Sequence, residues 1–314
     1  MAAFSLYGGV IKTISSGSNA RLVVSFSSGG TSSKHYERKF IWFRKWVMER
    51  HVYKNLVRDS GMSQSSLQRL FKYYLSHVPP LTIRHKQQAH LLIDGTYFPG
   101  NICLILYWDH DVRFTQLYRL TDEERYQEIK EDLENIKSFA IEIVSITCDG
   151  HRAILKAIRK VLPHVIVQRC VVHVVRHCKT WLTQRPQSFA AVELLSIVNE
   201  LHDVKTLYQS SAWLLSLWRW EKKYSSFITE RVVKENGRYW YKHKMLRKSR
   251  HLLLKAIPNL FHYLDDPAIP RTTNRLESFF AHLKDKLQPH RGLTILNRKN
   301  FVKWYLYFQN QKSA

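Results

Sequence analysis

Between His90 and Leu182, apolar runs of strand length alternate with segments of helical period, and their order is the strongest constraint in the chain. His90–Asp94 is an apolar run ending in a carboxylate. Ile102–Trp108 and Arg113–Tyr118 read as two further strands separated by a tight Asp109-His110-Asp111 turn. A helix follows, with Thr121-x-x-Glu124 as its expected capping box and Tyr126, Ile129, Leu133 and Ile136 along one face. Its acids, Asp122 to Glu134, read as a solvated face. Ile141–Thr147 is a strand, Ala153–Val161 a helix, Val165–Gln168 a short strand and Val171–Leu182 a helix.

A three-strand meander followed by helix, strand, helix, strand and helix matches a ribonuclease H-like mixed α/β sheet. In that fold Asp94 and Asp149 lie at the C-terminal ends of neighbouring strands, beside the loops where ligands gather in open sheets. Each is followed by glycine, in Asp94-Gly95 and Asp149-Gly150. A single such carboxylate is usually structural. Two a few ångströms apart repel and hold their protons unless a cation lies between them. Mg²⁺ suits that position, bound through one or two carboxylates and substrate phosphate. A second metal needs a third acid.

Charge is unevenly spread. Fourteen basic side chains face three acidic ones over residues 1–92, thirteen face twelve over 93–186, thirteen face eight over 187–270, and nine face two over 271–314. Solubilising lysines would be distributed evenly, so a net charge of +24 concentrated in flanking segments implies a polyanion, with nucleic acid foremost. The longest apolar stretches fall short of the roughly 18 residues of a spanning helix, and Met1–Ile11 lacks the pattern of a secretion signal. Four cysteines make no disulfide framework and fit a reducing compartment. No membrane partner is expected, and the expected location is cytoplasmic.

Residues 1–35, rich in Gly and Ser, read as a flexible or small β arm. Residues 36–86 read as a helix-turn-helix region. It opens with a basic helix, Arg38–Arg50, carrying Trp42 and Trp46. Leu56 and Val57 face inward on the next helix, Ser60-Gly61-Met62 turns, and Ser63 caps a third helix with Leu67, Leu70, Phe71 and Tyr74 inside. Ser63, Gln64, Ser65, Gln68, Arg69 and Lys72 then face outward as donors for phosphates and base edges.

Beyond residue 186 the pattern is helical and aromatic, with Trp213, Trp218, Trp220, Tyr239, Trp240 and Tyr241. After the Pro-rich break Asp265–Pro270, Thr272 or Thr273 caps a helix with Leu276, Phe279, Phe280 and Leu283 inward and Glu277 on its first turns. Arg271, Asn274, Arg275, Lys284, Arg291 and Arg298 supply further candidate DNA contacts.

Asp94 in LIDGTY, Asp149 in TCDGHRA, Cys170-x-x-His173 in QRCVVHVVRH and Glu277 in TTNRLESFF together resemble the Mutator-like superfamily of DDE transposases, especially its bacterial insertion-sequence members. The likeness spans roughly residues 45–310, with 55 residues from Asp94 to Asp149 and 128 from Asp149 to Glu277. It implies a catalytic domain of residues 87–186 and 271–300, an all-helical insertion over 187–270, and a basic aromatic tail over 301–314. It also implies that Asp94, Asp149 and Glu277 form the metal-binding catalytic triad, with two Mg²⁺ or Mn²⁺ ions. Cys170 and His173 match the family's C-x-x-H motif and, with His151, would support the active site. The implied substrates are double-stranded DNA, transposon ends and target, held by a homodimer or larger assembly. Trp218 and Trp220 are candidates to stack on an unpaired base, against the plainer role of core aromatics. Many relatives begin with a cysteine-rich zinc ribbon. The first 102 residues here hold no cysteine, so end recognition falls to the helix-turn-helix.

Other readings stay open. Cys170, His173, His177 and Cys178 could hold zinc, although Cys178 points about 100° from His177 on a helix, so the four cannot converge on one ion. A transposase-derived DNA-binding regulator without catalysis predicts a lost triad acid, and none is lost. A nuclease or resolvase of the same fold would cut without joining.

Overall fold

A computed structural model describes residues 31–313, with side chains for 39–312; the Gly/Ser-rich stretch expected to form an arm, residues 1–30, lies outside the described residues. The chain opens with α1 (Thr31–Met48), α2 (Tyr53–Ser60) and α3 (Gln64–Ser76). Then come β1 (Gln88–Phe98), β2 (Ile102–Asp109), β3 (Phe114–Thr121), α4 (Tyr126–Ser138), β4 (Glu142–Cys148), α5 (Arg152–Val161), β5 (Ile166–Arg169) and α6 (Val171–Leu182). They are followed by α7 (Phe189–Glu200), α8 (Leu207–Lys223), α9 (Ser225–Thr229), β6 (Arg231–Val233), β7 (Tyr239–Tyr241) and α10 (Lys244–Ala256). The last are α11 (His262–Asp265), α12 (Asn274–Leu287) and α13 (Ile295–Ser313). Among the described residues no helix is long and apolar enough to cross a membrane.

The chain divides into two compact units: His85–Ala281, and the residues up to Arg84 together with those from His282 onward. In the first, a five-stranded mixed sheet has the order β3-β2-β1-β4-β5. β1, β2 and β3 form the antiparallel meander, and β4 and β5 add in parallel beside β1. Every residue of β2 is buried, Asp109 included, which is why the apolar run Ile102–Trp108 shows no alternation. β1 runs past Asp94 to Phe98, carried by antiparallel pairing from Asp94↔Leu106 to Phe98↔Ile102. Asp94 is therefore within a strand, not at its end as expected. The Thr121 capping box does not form either, because β3 continues to Thr121, paired with Cys103. The Thr121 hydroxyl bonds the Glu128 carboxylate instead, and α4 starts after Arg125 with no side-chain cap.

The helices after β5 share a second core within this unit, including Val174, Cys178, Leu194, Leu217, Leu246 and Leu253. Trp213 and Trp220 are buried there, their indole N–H groups donating to the carbonyls of Ile197 (2.7 Å) and Ala190 (2.8 Å). That placement removes Trp220 as a base-stacking residue, while Trp218 remains 59% exposed. The segment is also not all-helical: β6 and β7 form a separate two-stranded ribbon.

The other unit is held by aromatic side chains. Phe43, Trp46, Phe71, Phe301 and Phe308 are buried, and the Trp46 ring lies 4.8 Å from that of Phe71. Each ring of this kind contributes roughly 1.5–3 kcal/mol by leaving water. Trp304 donates to the Tyr74 carbonyl (2.9 Å) and Asn300 to the Leu75 carbonyl (2.8 Å). Residues 301–313, expected as a tail, thus belong to a packed helix; residues 31–35, expected in the arm, belong to α1. α2 ends at Gly61, whose φ of +66° closes the turn, and the Ser63 hydroxyl caps α3 by accepting from Ser66 N–H. Leu56, Leu67, Leu70, Phe71 and Tyr74 are buried, whereas Ser63, Gln64, Gln68, Arg69 and Lys72 are exposed.

Candidate active site

The parallel ladder between β1 and β4 ends at the pair Ile93↔Cys148, and Asp94 and Asp149 are the next residues along their chains. Two carboxylates therefore leave the same rung of the sheet. Asp94 is 7% exposed. Burial, reinforced by Asp149 and Glu124, pushes its carboxyl up to about 7, against the pull of His173 and the Gly95 N–H. That N–H donates to Asp94 Oδ1 at 2.9 Å, and His151 N–H donates to Asp149 Oδ1 at 2.7 Å.

A third carboxylate joins them from an unexpected place. Glu124, assigned from the sequence to a solvated face, is only 12% exposed at its side chain and lies 3.3 Å from His151 Nδ1. Burial first, and then Asp149, raise its pKa. The sequence sets it apart from the acids around it only as the expected partner of Thr121 in a capping box, which carries no signal of burial beside Asp149. Asp132 also departs from that solvated face: it is buried, bonding Tyr107 and Arg119.

Both Asp-Gly pairs have a steric reason. A Cβ at Gly95 would lie 2.1 Å from Glu124 Oε1, and a Cβ at Gly150 would lie 1.9 Å from Arg169 Cζ. Gly150 also has φ +86°. Arg169, itself buried, donates to the Asp149 carbonyl at 3.0 Å and so supports the turn from beneath.

Glu277 stands on the first turn of α12, which is strapped to the sheet. Thr147 Oγ1 donates to the Pro270 carbonyl (2.6 Å), and Val171 N–H donates to the Arg271 carbonyl (3.3 Å). Cys170 Sγ accepts from both the N–H (3.3 Å) and hydroxyl (3.4 Å) of Thr273, whose hydroxyl also lies 3.3 Å from His173 Nδ1. The other nitrogen of His173 is 3.3 Å from Glu277 Oε1. Burial opposes a charge on His173, but Cys170, Asp94 and Asp149 outweigh it and hold the imidazole at about 9. Burial likewise opposes a thiolate, yet His173 and Thr273 keep the Cys170 thiol below its ordinary range.

Glu277 itself is gripped by Arg176 through two bonds of 2.9 Å, which hold its carboxyl below the usual range. Asp94, Asp149 and Glu124 thus lie within electrostatic reach of one another, with Glu277 turned to Arg176 and His173. Among the described residues no three His, Cys, Asp or Glu side chains form a metal-ion cluster. The donor chemistry nevertheless fits a hard divalent cation: carboxylate oxygens, one of them on a buried side chain whose charge has like-charged neighbours. The alternative zinc quartet is split, since Cys178 Sγ faces the Ser249 carbonyl and His177 stacks on Trp181.

The remaining candidates separate. Arg271 is taken up by the Leu201 carbonyl and the Tyr263 ring, while Asn274 is exposed and Arg275 reaches His110 at 3.4 Å. In the other unit Lys284 and Arg291 are exposed, and Arg298 bonds the Arg291 carbonyl.

Residues 118–237 match the model of the family described as "Transposase, Mutator family". The resemblance to Mutator-like transposases is therefore borne out, over a stretch that contains Asp149 and Cys170-x-x-His173. No curated protein matches the chain. Among solved structures, the chain is similar to the HTLV-2 integrase catalytic core domain in complex with magnesium (trimeric form). The two are 16% identical with a TM-score of 0.22, over 49% of this chain and 95% of that one.

Proposed function

We infer that this Mutator-like protein is a DNA transposase with a ribonuclease H-like catalytic domain. It binds element ends and performs metal-dependent strand cleavage and strand transfer through Asp94, Asp149 and Glu277. The observation that carries this reading is the departure of Asp94 and Asp149 from one rung of the β1/β4 ladder, inside a domain of the expected strand order. Asp94, Asp149 and Glu277 are the residues to hold Mg²⁺ or Mn²⁺, with Glu124 beside them. When bound, such ions polarise a phosphodiester and lower the pKa of an attacking water or DNA 3′-OH.

The chain's own residues prepare the site. Asp94 must lose its proton, held to about 7 by burial, before it can act as a ligand. Arg176 holds Glu277 ionised and must release it. Cys170, His173 and Thr273 fix the start of α12, so that Glu277 leaves the helix from a rigid turn. No side-chain nucleophile is required. The exposed face of α3, Gln64, Gln68, Arg69 and Lys72, is suited to a DNA groove as the second helix of a helix-turn-helix. Two ends must be brought together, so a dimer or larger assembly forms on DNA.

The test is incubation of the protein with Mg²⁺, labelled element ends and a target plasmid. Strand joining that disappears in Asp149→Asn supports the reading. Cleavage without joining shifts it to a nuclease or resolvase. DNA binding with no cleavage in any divalent ion overturns it in favour of a regulator.

A further inference from the structure

The ribbon β6–β7 is the one element of the described chain that packs neither face into a core. All ten residues Arg231–Trp240 are exposed. Two three-residue strands are marginal in water by themselves, so something must hold this pair in register. Its base is anchored: Lys242 N–H donates to the Glu230 carbonyl, His243 Nε2 lies 3.1 Å from the Glu230 carboxylate, and the His243 ring stacks 3.7 Å from Phe227. Its faces are held by cations over rings. Arg231 lies 4.3 Å from the Tyr239 ring centre and 5.5 Å from that of Tyr241, and Arg247 reaches Tyr241 at 3.4 Å. On the opposite face Lys234 Nζ lies 5.4 Å from the Trp240 ring. The tip is the turn Lys234–Arg238, closed by Lys234 N–H to the Arg238 carbonyl (2.8 Å).

From Glu230 to Lys248 there are seven lysines and arginines against two glutamates. Glu230 is occupied by Lys242 and His243. Lys234 and Arg238 have no carboxylate within ion-pair distance among the described residues, and both stand at the tip. We propose that this ribbon is a DNA-contacting element, its tip reaching phosphates of a duplex through Lys234 and Arg238. The occupant follows from charge complementarity and size: a two-stranded ribbon fits a major groove roughly 12 Å wide. Lys234, already held over the Trp240 ring, costs little entropy to place on a backbone. The proposal rests on DNA being the substrate of this protein.

The experiment measures binding of a mixed-sequence duplex by fluorescence anisotropy across a KCl series. It compares the full chain with Lys234→Gln/Arg238→Gln and with a control pair, Lys137→Gln/Lys160→Gln, on the exposed sides of α4 and α5. Each phosphate contact contributes about 0.9 to the slope of log K against log salt, so losing two lowers the slope by about 1.8 and weakens binding roughly tenfold. The control pair keeps the wild-type slope. The tip residues support no core, so an unchanged thermal midpoint is expected for both variants. A tip variant with the wild-type slope and affinity overturns the proposal while leaving the transposase reading intact. A wild-type chain that fails to bind duplex in any salt removes that reading as well. Loss of binding to phosphatidylglycerol vesicles, with duplex binding unchanged, assigns the ribbon to lipid and overturns the proposal.

Discussion

The carboxylate of Glu124 fills the space that a side chain at Gly95 would need, with Oε1 2.1 Å from a Cβ placed there. Gly95→Ala therefore evicts Glu124 from beside Asp94 and Asp149. If Glu124 helps to hold a cation, Gly95→Ala and Glu124→Gln each weaken Mn²⁺ binding by roughly ten- to a hundredfold, the usual cost of losing a supporting group. The double variant should be no worse than either single one, because both remove the same carboxylate. A Mn²⁺ titration followed by electron paramagnetic resonance measures this. Additive losses would show that the two residues act separately.

Arg176 is predicted to have the opposite sign. Its two bonds to Glu277 compete with any cation for the same oxygens, although exposure of the arginine screens the pair. Arg176→Gln should strengthen Mn²⁺ binding severalfold by freeing Glu277. The same titration decides it: unchanged or weaker binding means that Arg176 does not compete with the cation.

These relationships were unequally legible in the chain. The bounds of α6, Val171–Leu182, and the start of β2 at Ile102 follow from uninterrupted apolar patterns. Asp94, Gly95 and Thr96 interrupt the apolar run of β1, and only pairing with β2 carries the strand onward to Phe98. Glu124 was invisible because its burial depends on a strand distant in sequence having no side chain at Gly95. Two further signals lie in the sequence itself. Asn236-Gly237 between two short β-prone runs is a hairpin signature. The spacing of Trp213, Leu217 and Trp220 already places Trp218 alone outside the core.

The pH dependence of stability follows from Asp94. Its carboxyl is raised from 3.8 to about 7 in the folded chain, so folding takes up a proton between those values. The contribution is fully present below about 4 and is lost as pH rises through about 7. With metal removed by chelator, Tm should fall between pH 5 and pH 8, by an amount corresponding to at most about 4 kcal/mol. His173, held near 9, acts in the same sense at higher pH. Asp94→Asn should flatten the decline, and millimolar Mg²⁺ should reverse it in the wild type. A wild-type Tm that rises across this window would falsify the assignment.

The sulfur of Cys170 accepts from the buried Thr273 N–H, and this distinguishes a strap from a zinc ligand. Cys170→Ala leaves that N–H unsatisfied, which costs about 1–3 kcal/mol. Cys170→Ser keeps an acceptor and should recover part of the loss. A structural zinc ion would reverse this pattern, because serine is a poor ligand and Tm would depend on chelator. Thermal denaturation of the three proteins with and without EDTA separates the cases. The strap requires the order wild type, serine, alanine, with the alanine variant's deficit the same whether or not chelator is present.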